Sequence, residues 1–428
     1  MQEKVIEACR HAWNGYMEYA AGYDDLQPLT RNGKNWYKHS MMMTPVDAYD
    51  TFILLGMKKE ADEAKKIILS QPGFDVDNEV QVFEVTIRIL GGLIAAYEMD
   101  GNKRFLQLAI DLAERMLPAF NTPTGMPWRY IHLQTGAVRD SINNPAEIGT
   151  LMMEFGKLTT ITGNSRYYET AKKACMEVFK RRSAIGLVGL QINVLNGEWK
   201  NTSSQIGAYI DSYYEYLFKS WKLFGDKDFK NAWEVHHAAI GKHLLSKQDQ
   251  GWFMTIVDMH TGKEIKPHYG ALDAFYAGLL AYAGDINTAR EVQKANAYMW
   301  DQFNIEPELF NFKTGEVLHS AYILRPENIE SCFYLYRFTK DPQYLWMGKK
   351  MLDDINKHCR HETGYTSLKN VLTLEKMNSM QSFFLAETLK YAYLLFSSGE
   401  ALDLDKHILN TEAHPFKIPN RKNRKSDE

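Results

Sequence analysis

Gly101-Asn102-Lys103-Arg104-Phe105 reads as the end of one helix and the start of the next. The glycine accepts the left-handed backbone that stops a helix, the asparagine caps its successor, and the phenylalanine anchors that successor in an apolar core. The unit recurs as Gly163-Asn164-Ser165-Arg166-Tyr167, Gly225-Asp226-Lys227-Asp228-Phe229, Gly284-Asp285-Ile286-Asn287 and Lys340-Asp341-Pro342-Gln343-Tyr344, and Leu54-Leu55-Gly56-Met57 is a degenerate earlier copy. The caps lie 62, 62, 59 and 56 residues apart. A period of about 60 residues is one helical hairpin with its connections, and the chain holds about seven of them. Strand signals are short, as in Leu187-Val188-Gly189-Leu190 and the region from Thr255 to Lys263, so the fold class expected is all-α.

The helix before each cap is apolar almost all round, the pattern of an inner helix enclosed by an outer ring. Each such helix opens on an acid: Asp47 after Pro45-Val46, Glu84 in Phe83-Glu84-Val85, Glu147 after Ala146, Asp211 in Asp211-Ser212-Tyr213, Glu327 and Glu330 after Arg325-Pro326, and Glu387 after Ser382-Phe383-Phe384. Capping explains one acid at a helix N-terminus. Seven in register with the repeat point instead to a shared cavity lined by carboxylates, the furniture of sugar cleavage.

The composition excludes several alternatives. The 428 residues carry 50 Lys and Arg against 53 Asp and Glu, a net charge of -3, and these charges are dispersed, unlike a nucleic-acid footprint. Only the tail from Asn420 to Glu428 is a basic run, expected to be a frayed end beyond a single domain spanning residues 1–419. The four cysteines form no CxxC pair, and Cys359, between His358 and His361, has no companion ligands. No stretch is long and apolar enough for a membrane span, and Glu3, Lys4, Glu7 and Arg10 are foreign to a signal peptide. Phosphate loops, serine-hydrolase elbows and His-Glu-x-x-His helices are missing. His236, His237 and His243 read as packing or solvent-facing groups, and Asn201-Thr202-Ser203 is a glycosylation sequon that matters only in a eukaryotic secretory pathway.

Five segments, in order along the chain, resemble motifs of glycoside hydrolase family 47, the class I α-1,2-mannosidases: Phe83 to Leu93 (FEVTIRILGGL), Asp211 to Leu217 (DSYYEYL), Leu324 to Ser331 (LRPENIES), Ser382 to Tyr391 (SFFLAETLKY) and Asn410 to Pro415 (NTEAHP). The resemblance runs from about His11 to about Ile418. It implies an (α/α)7 barrel plugged at one end by a C-terminal β-hairpin around Leu404 to Phe416. It implies an inverting, calcium-dependent exo-mannosidase acting on terminal α-1,2-linked mannose of oligomannose glycans or manno-oligosaccharides. Glu84 matches the general acid, Glu327 the general base, and Asp211 the third essential carboxylate.

Arg88, one turn after Glu84, shares its face, and Arg325 is counted with it among the sugar-binding groups. Thr411 matches the calcium residue, which binds through its carbonyl and hydroxyl oxygens. One residue fills few of the roughly 6–8 oxygen positions calcium prefers, so Glu147, Glu330, Glu387 and Glu412 would hold the ion's waters. Phe383 matches the aromatic under the terminal mannose. A monomer without a membrane span is expected, and the family setting further implies a secretory lumen, a periplasm or the outside of the cell.

Three departures stand out. Tyr209 occupies a position where many members carry Arg, Gly270-Ala271-Leu272-Asp273-Ala274-Phe275 looks like the degradation-enhancing (EDEM-type) branch, and Ala274 replaces a cysteine of the usual family disulfide. The alternative function these departures leave open is a mannose-glycan binding protein with weak turnover.

Overall fold

The structure is a computed structural model describing residues 1–397, 399 and 401–419, so the basic tail Asn420 to Glu428 lies outside the described residues. It is mostly helical, and its helices are of two kinds. One kind buries a single stripe: Lys103–Met116 buries Phe105, Leu108, Ala109, Leu112, Ala113 and Met116 at the spacing of one helix face. The other is buried nearly all round, as in Phe275–Ala283 and Glu327–Thr339.

The two kinds alternate along the chain and pack as consecutive pairs. Met43–Leu54 lies on Lys58–Leu69, Gly91–Asp100 on Lys103–Met116, Met152–Thr162 on Ser165–Lys180, Asp211–Phe224 on Lys227–His243, Phe275–Ala283 on Ile286–Phe303 and Glu327–Thr339 on Gln343–His358. The last buried helix, Leu389–Phe396, takes the N-terminal helix Gln2–Tyr19 as its partner, and the π-helical turn before it, Phe384–Thr388, packs against Met43–Leu54. Among the described residues no helix is long and apolar enough to cross a membrane.

The capping units behave as their sequence suggests in four of five copies. Gly101, Gly163, Gly225 and Gly284 end their helices in the left-handed conformation, and Asn102, Asn164, Asp226 and Asp285 accept a backbone N–H of the next. The fifth differs by one position. Pro342 occupies the cap of Gln343–His358, because proline suits a helix start, and Asp341 reaches past it to accept the Gln343 N–H at 3.1 Å.

Strands are more numerous than the sequence suggests. Each is two to four residues long, too short for alternating hydrophobicity to register. Leu187 to Leu190 is irregular, the strand lying just beyond it at Gln191–Asn193, whereas the region from Thr255 to Lys263 does contain a strand, Ile256–Asp258.

These strands build a collar at the end of the molecule where the buried helices begin. The short strand leading into each buried helix pairs with the hairpin that precedes the next one: Glu79–Gln81 with Tyr130–His132, Ile142–Asn143 with Gln191–Asn193, Ser203–Ser204 with Ile256–Asp258, and His268–Tyr269 with Leu309–Asn311. Single bridges continue the series, Tyr322 with Leu368 and Met380 with Leu26. At the remaining step a side chain takes the strand's place: the fully buried Asn78 accepts the His39 N–H at 2.8 Å and donates to the His39 carbonyl at 2.9 Å. The hairpin apices repeat as well, with Gly136, Gly197, Gly262 and Gly315 in the left-handed conformation and Arg31 and Leu374 adopting it without glycine's freedom.

The C-terminal hairpin pairs His407–Leu409 with Pro415–Lys417, running one residue past the range anticipated, Leu404 to Phe416. Lys157 and Lys390, both buried, donate to its Lys417 and Ala413 carbonyls at 2.8 and 2.7 Å. All four cysteines are buried and free, and burial pushes their thiols upward. His236 is a packing residue, bonded to the Tyr213 hydroxyl and the Gly186 carbonyl, and burial lowers it to about 4.

Candidate active site

Because the buried helices all start at the collar, their first turns surround one cavity of about 390 Å³. Glu84, Arg88, Glu147, Asp211, Arg325, Glu327, Glu330, Phe383, Glu387, Thr411 and Glu412 all line it. Asp47 is the exception. The opening helix Met43–Leu54 sinks it completely, behind Arg88 rather than on the wall, with Arg88 Nη1 at 3.7 Å.

Two π-helical turns shape one side of the site. Thr86–Leu90 follows the short helix that carries Glu84 and bears Arg88; Phe384–Thr388 follows Phe383 and bears Glu387. Such turns insert an extra residue into a helix and re-aim its side chains, which is why they gather at functional sites. Arg88 donates from Nε to Glu84 Oε2 at 2.9 Å and from Nη1 to Glu412 Oε1. Its guanidinium lies between two rings, 5.1 Å from Trp36 and 5.7 Å from Phe383. Arg325 stands 5.9 Å from Phe383, so this nearly buried aromatic floor is bracketed by two cations.

Glu327 is placed by its surroundings before the helix begins. Leu324 adopts a left-handed backbone (φ 70°), its carbonyl held by the Thr388 hydroxyl at 2.6 Å. Arg325 is clamped by Glu308 through two nitrogens and stands 3.6 Å from Glu327. Asn328 donates to Glu306 and to the Asn296 carbonyl and accepts from Gln293. Oε2 of Glu327 is buried and has no hydrogen-bond partner among the described residues. Burial pushes Glu327 up to about 7, Arg325 pulling the other way. Asp211 accepts the Ser212 N–H at 2.8 Å, yet burial takes it to about 7 as well.

The lining is crowded with further acids. Burial raises Glu330, which accepts the Tyr391 hydroxyl at 3.0 Å, to about 8, and Glu412 to about 8 against the pull of Arg88. Glu387 rises through burial and then through Glu412, Glu327 and Glu330. Glu147, whose helix is capped by Asn144, is paired with Arg129 at 2.8 and 2.9 Å. Arg129 sits just before a collar strand and carried no signal in the sequence. Glu215 lies inside a segment read for Asp211, one turn further on, and pairs with the buried Lys219. Tyr209, half exposed and left-handed (φ 74°), stands at the rim.

The cavity therefore gathers carboxylates, several of them raised by burial, around an aromatic floor, with more acids than arginines in its lining.

The glycosyl hydrolase family 47 model matches residues 8–418. The mannosyl-oligosaccharide 1,2-alpha-mannosidase MNS1 of Arabidopsis thaliana is 37% identical over 97% of this chain and 78% of its own length. The ER degradation-enhancing alpha-mannosidase-like protein 1 of Schizosaccharomyces pombe is 35% identical over 96% of this chain, which spans 55% of that relative's length. The solved α-1,2-mannosidase from Trichoderma reesei superposes with a TM-score of 0.90 at 27% identity, covering 97% of this chain and 98% of its own. With motifs, cavity and family model in agreement over nearly the whole sequence, the chain belongs to glycosyl hydrolase family 47.

Proposed function

We propose that this protein is an exo-α-mannosidase that removes terminal α-1,2-linked mannose from oligomannose glycans or manno-oligosaccharides by a single displacement with inversion. The observation that carries the reading is the placing of Glu84 and Glu327 on separate helices that line one cavity, with Phe383 between their arginine partners. Inversion requires an acid and a base about 6.5–9.5 Å apart, with room for water between base and anomeric carbon.

Glu84 donates a proton to the glycosidic oxygen as the bond to the anomeric carbon breaks; Arg88, bonded to its Oε2, fixes the orientation of the carboxyl group. Glu327, through its partnerless Oε2, takes a proton from the water that attacks the opposite face. Asp211, similarly raised, assists in orienting that water. The mannose ring rests on Phe383.

The residues around Thr411 fit a calcium ion. Among the described residues the Thr411 carbonyl and hydroxyl oxygens have no hydrogen-bond partner, its N–H alone meeting Tyr216 at 3.4 Å. Eight carboxylates face three guanidiniums in the cavity, an imbalance that a hard divalent cation offsets. Thr411 would hold the ion directly, and Glu147, Glu330, Glu387 and Glu412 would hold it through water. Bound there, it would supply positive charge for the mannose hydroxyls.

The same reading extends to the architecture. The alternating pairs, the contact between first and last buried helices and the collar closed by Asn78 support an (α/α)7 barrel with the C-terminal hairpin as its plug.

Incubation with α-1,2-, α-1,3- and α-1,6-linked mannobioses tests the activity. Mannose is expected from the first alone; release from none of them, with calcium-dependent glycan binding retained, would favour the weakly active binding protein.

A further inference from the structure

Beneath the cavity lies a charged cluster closed to solvent and not itself part of the lining: Asp47, Asp50, Lys390 and His414, each at most 1% exposed. The His414 imidazole occupies a slot cut by two glycines. A Cβ on Gly91 would stand 3.2 Å from its Cδ2, and one on Gly92 would stand 3.1 Å from its Cε1. In that slot Nδ1 meets Asp50 at 2.6 Å and Nε2 faces Asp47 at 3.4 Å.

The cluster connects two parts of the site. On one side Lys390 lies 2.6 Å from Asp50 and donates to the Ala413 carbonyl, fixing the turn that carries Thr411. Asn410 fixes the same turn from within, accepting the N–H groups of Glu412 and His414. On the other side Asp47 faces Arg88 Nη1 at 3.7 Å, and Arg88 holds Glu84. Charge alternates along the path Lys390, Asp50, His414, Asp47, Arg88. Neither oxygen of Asp47 accepts a hydrogen bond among the described residues. A buried carboxylate in that state persists only between cations, so the positions of His414 and Arg88 depend on each other.

We propose that His414 is a positioning residue that ties the placing of the Thr411 turn to the orientation of the Arg88–Glu84 pair. The inference rests on the proposed function for its kinetic meaning; the coupling itself is a property of the fold. Glu412 also bonds Arg88, but it sits on the turn and cannot report the turn's depth below the cavity floor. His414 can, because its slot between Gly91 and Gly92 adjoins the π-helical turn that bears Arg88.

The test is a double-mutant cycle of His414→Gln and Arg88→Lys, read in kcat and KM on α-1,2-mannobiose, in calcium affinity and in unfolding free energy. His414→Gln is expected to lower kcat about 10–100-fold, with KM changed less than about threefold, and to weaken calcium binding about tenfold. In the Arg88→Lys background it should cost less than about threefold in kcat, because the path it serves is already broken. Equal losses in both backgrounds, or no loss in either, would overturn the proposal. If His414→Gln does not fold, Asp47→Asn replaces it, removing the same link at a residue whose oxygens accept no hydrogen bond among the described residues. A wild-type protein that releases no mannose would defeat the proposed function instead, and the unfolding cycle would still decide the coupling.

Discussion

Replacing Asn78 with alanine should open the collar at its one side-chain-mediated step. The Asn78 amide satisfies both the N–H and the carbonyl of His39, at 2.8 and 2.9 Å, with the residue fully buried. Alanine leaves that donor and acceptor without partners, each costing about 1–3 kcal/mol, so the expected loss is about 2–6 kcal/mol. Unfolding entropy near 60 °C is about 2.1 cal/mol/K per residue, or roughly 0.9 kcal/mol/K for a chain of this length, so a loss of about 3 kcal/mol lowers the thermal midpoint by about 3 °C. Scanning calorimetry of calcium-free protein measures it. Asn378→Ala is the control: that exposed amide also bonds Leu29 and Thr30 backbone N–H groups, yet water can replace it, so about 0.5 kcal/mol or less is expected. Equal shifts for the two variants would refute the view that Asn78 stands in for a strand.

Glu84→Gln and Glu327→Gln should each lower kcat about 10²–10⁴-fold while glycan binding by calorimetry survives; an unaltered kcat would remove that residue from its role. Burial holds Asp211 and Glu327 near 7 and Glu330 and Glu412 near 8, whereas unfolded carboxylates titrate near about 4. The folded protein thus binds more protons than the unfolded chain across that interval, so calcium-free stability should fall as pH rises from about 4.5 to 8. A midpoint that climbs over the same range would contradict the burial of these acids. Calcium at about 100 times its Kd should restore about 2.7 kcal/mol and flatten the pH dependence, whereas chelation should suppress hydrolysis. A chelated protein that cleaves at the full rate would remove Thr411 from the account.

Much of this was legible because the signals were local. A cap such as Asn164 needs only its own turn, and the acids at helix starts declared themselves through their apolar surroundings. What escaped depends on contacts between distant segments. The collar strands are too short to show a period, although Thr135-Gly136, Thr261-Gly262 and Thr314-Gly315 carried their turns in plain sight. The π-helical turns at Thr86–Leu90 and Phe384–Thr388 have no sequence signature, since one backbone hydrogen-bond pattern is exchanged for another. Asp47 shares the register of Glu84 and Asp211, yet its helix sets it one layer deeper, beside His414, which only packing decides. Arg129 is an ordinary arginine until the fold brings it to Glu147.

The most direct test of the central claim is the configuration of the first sugar released. α-1,2-Mannobiose is mixed with the calcium-loaded protein and the anomeric proton followed by NMR before mutarotation mixes the products. The account predicts β-mannose in the first spectra and none after chelation; α-mannose as the initial product would mean retention, and Glu327 could not then be acting as a base on water.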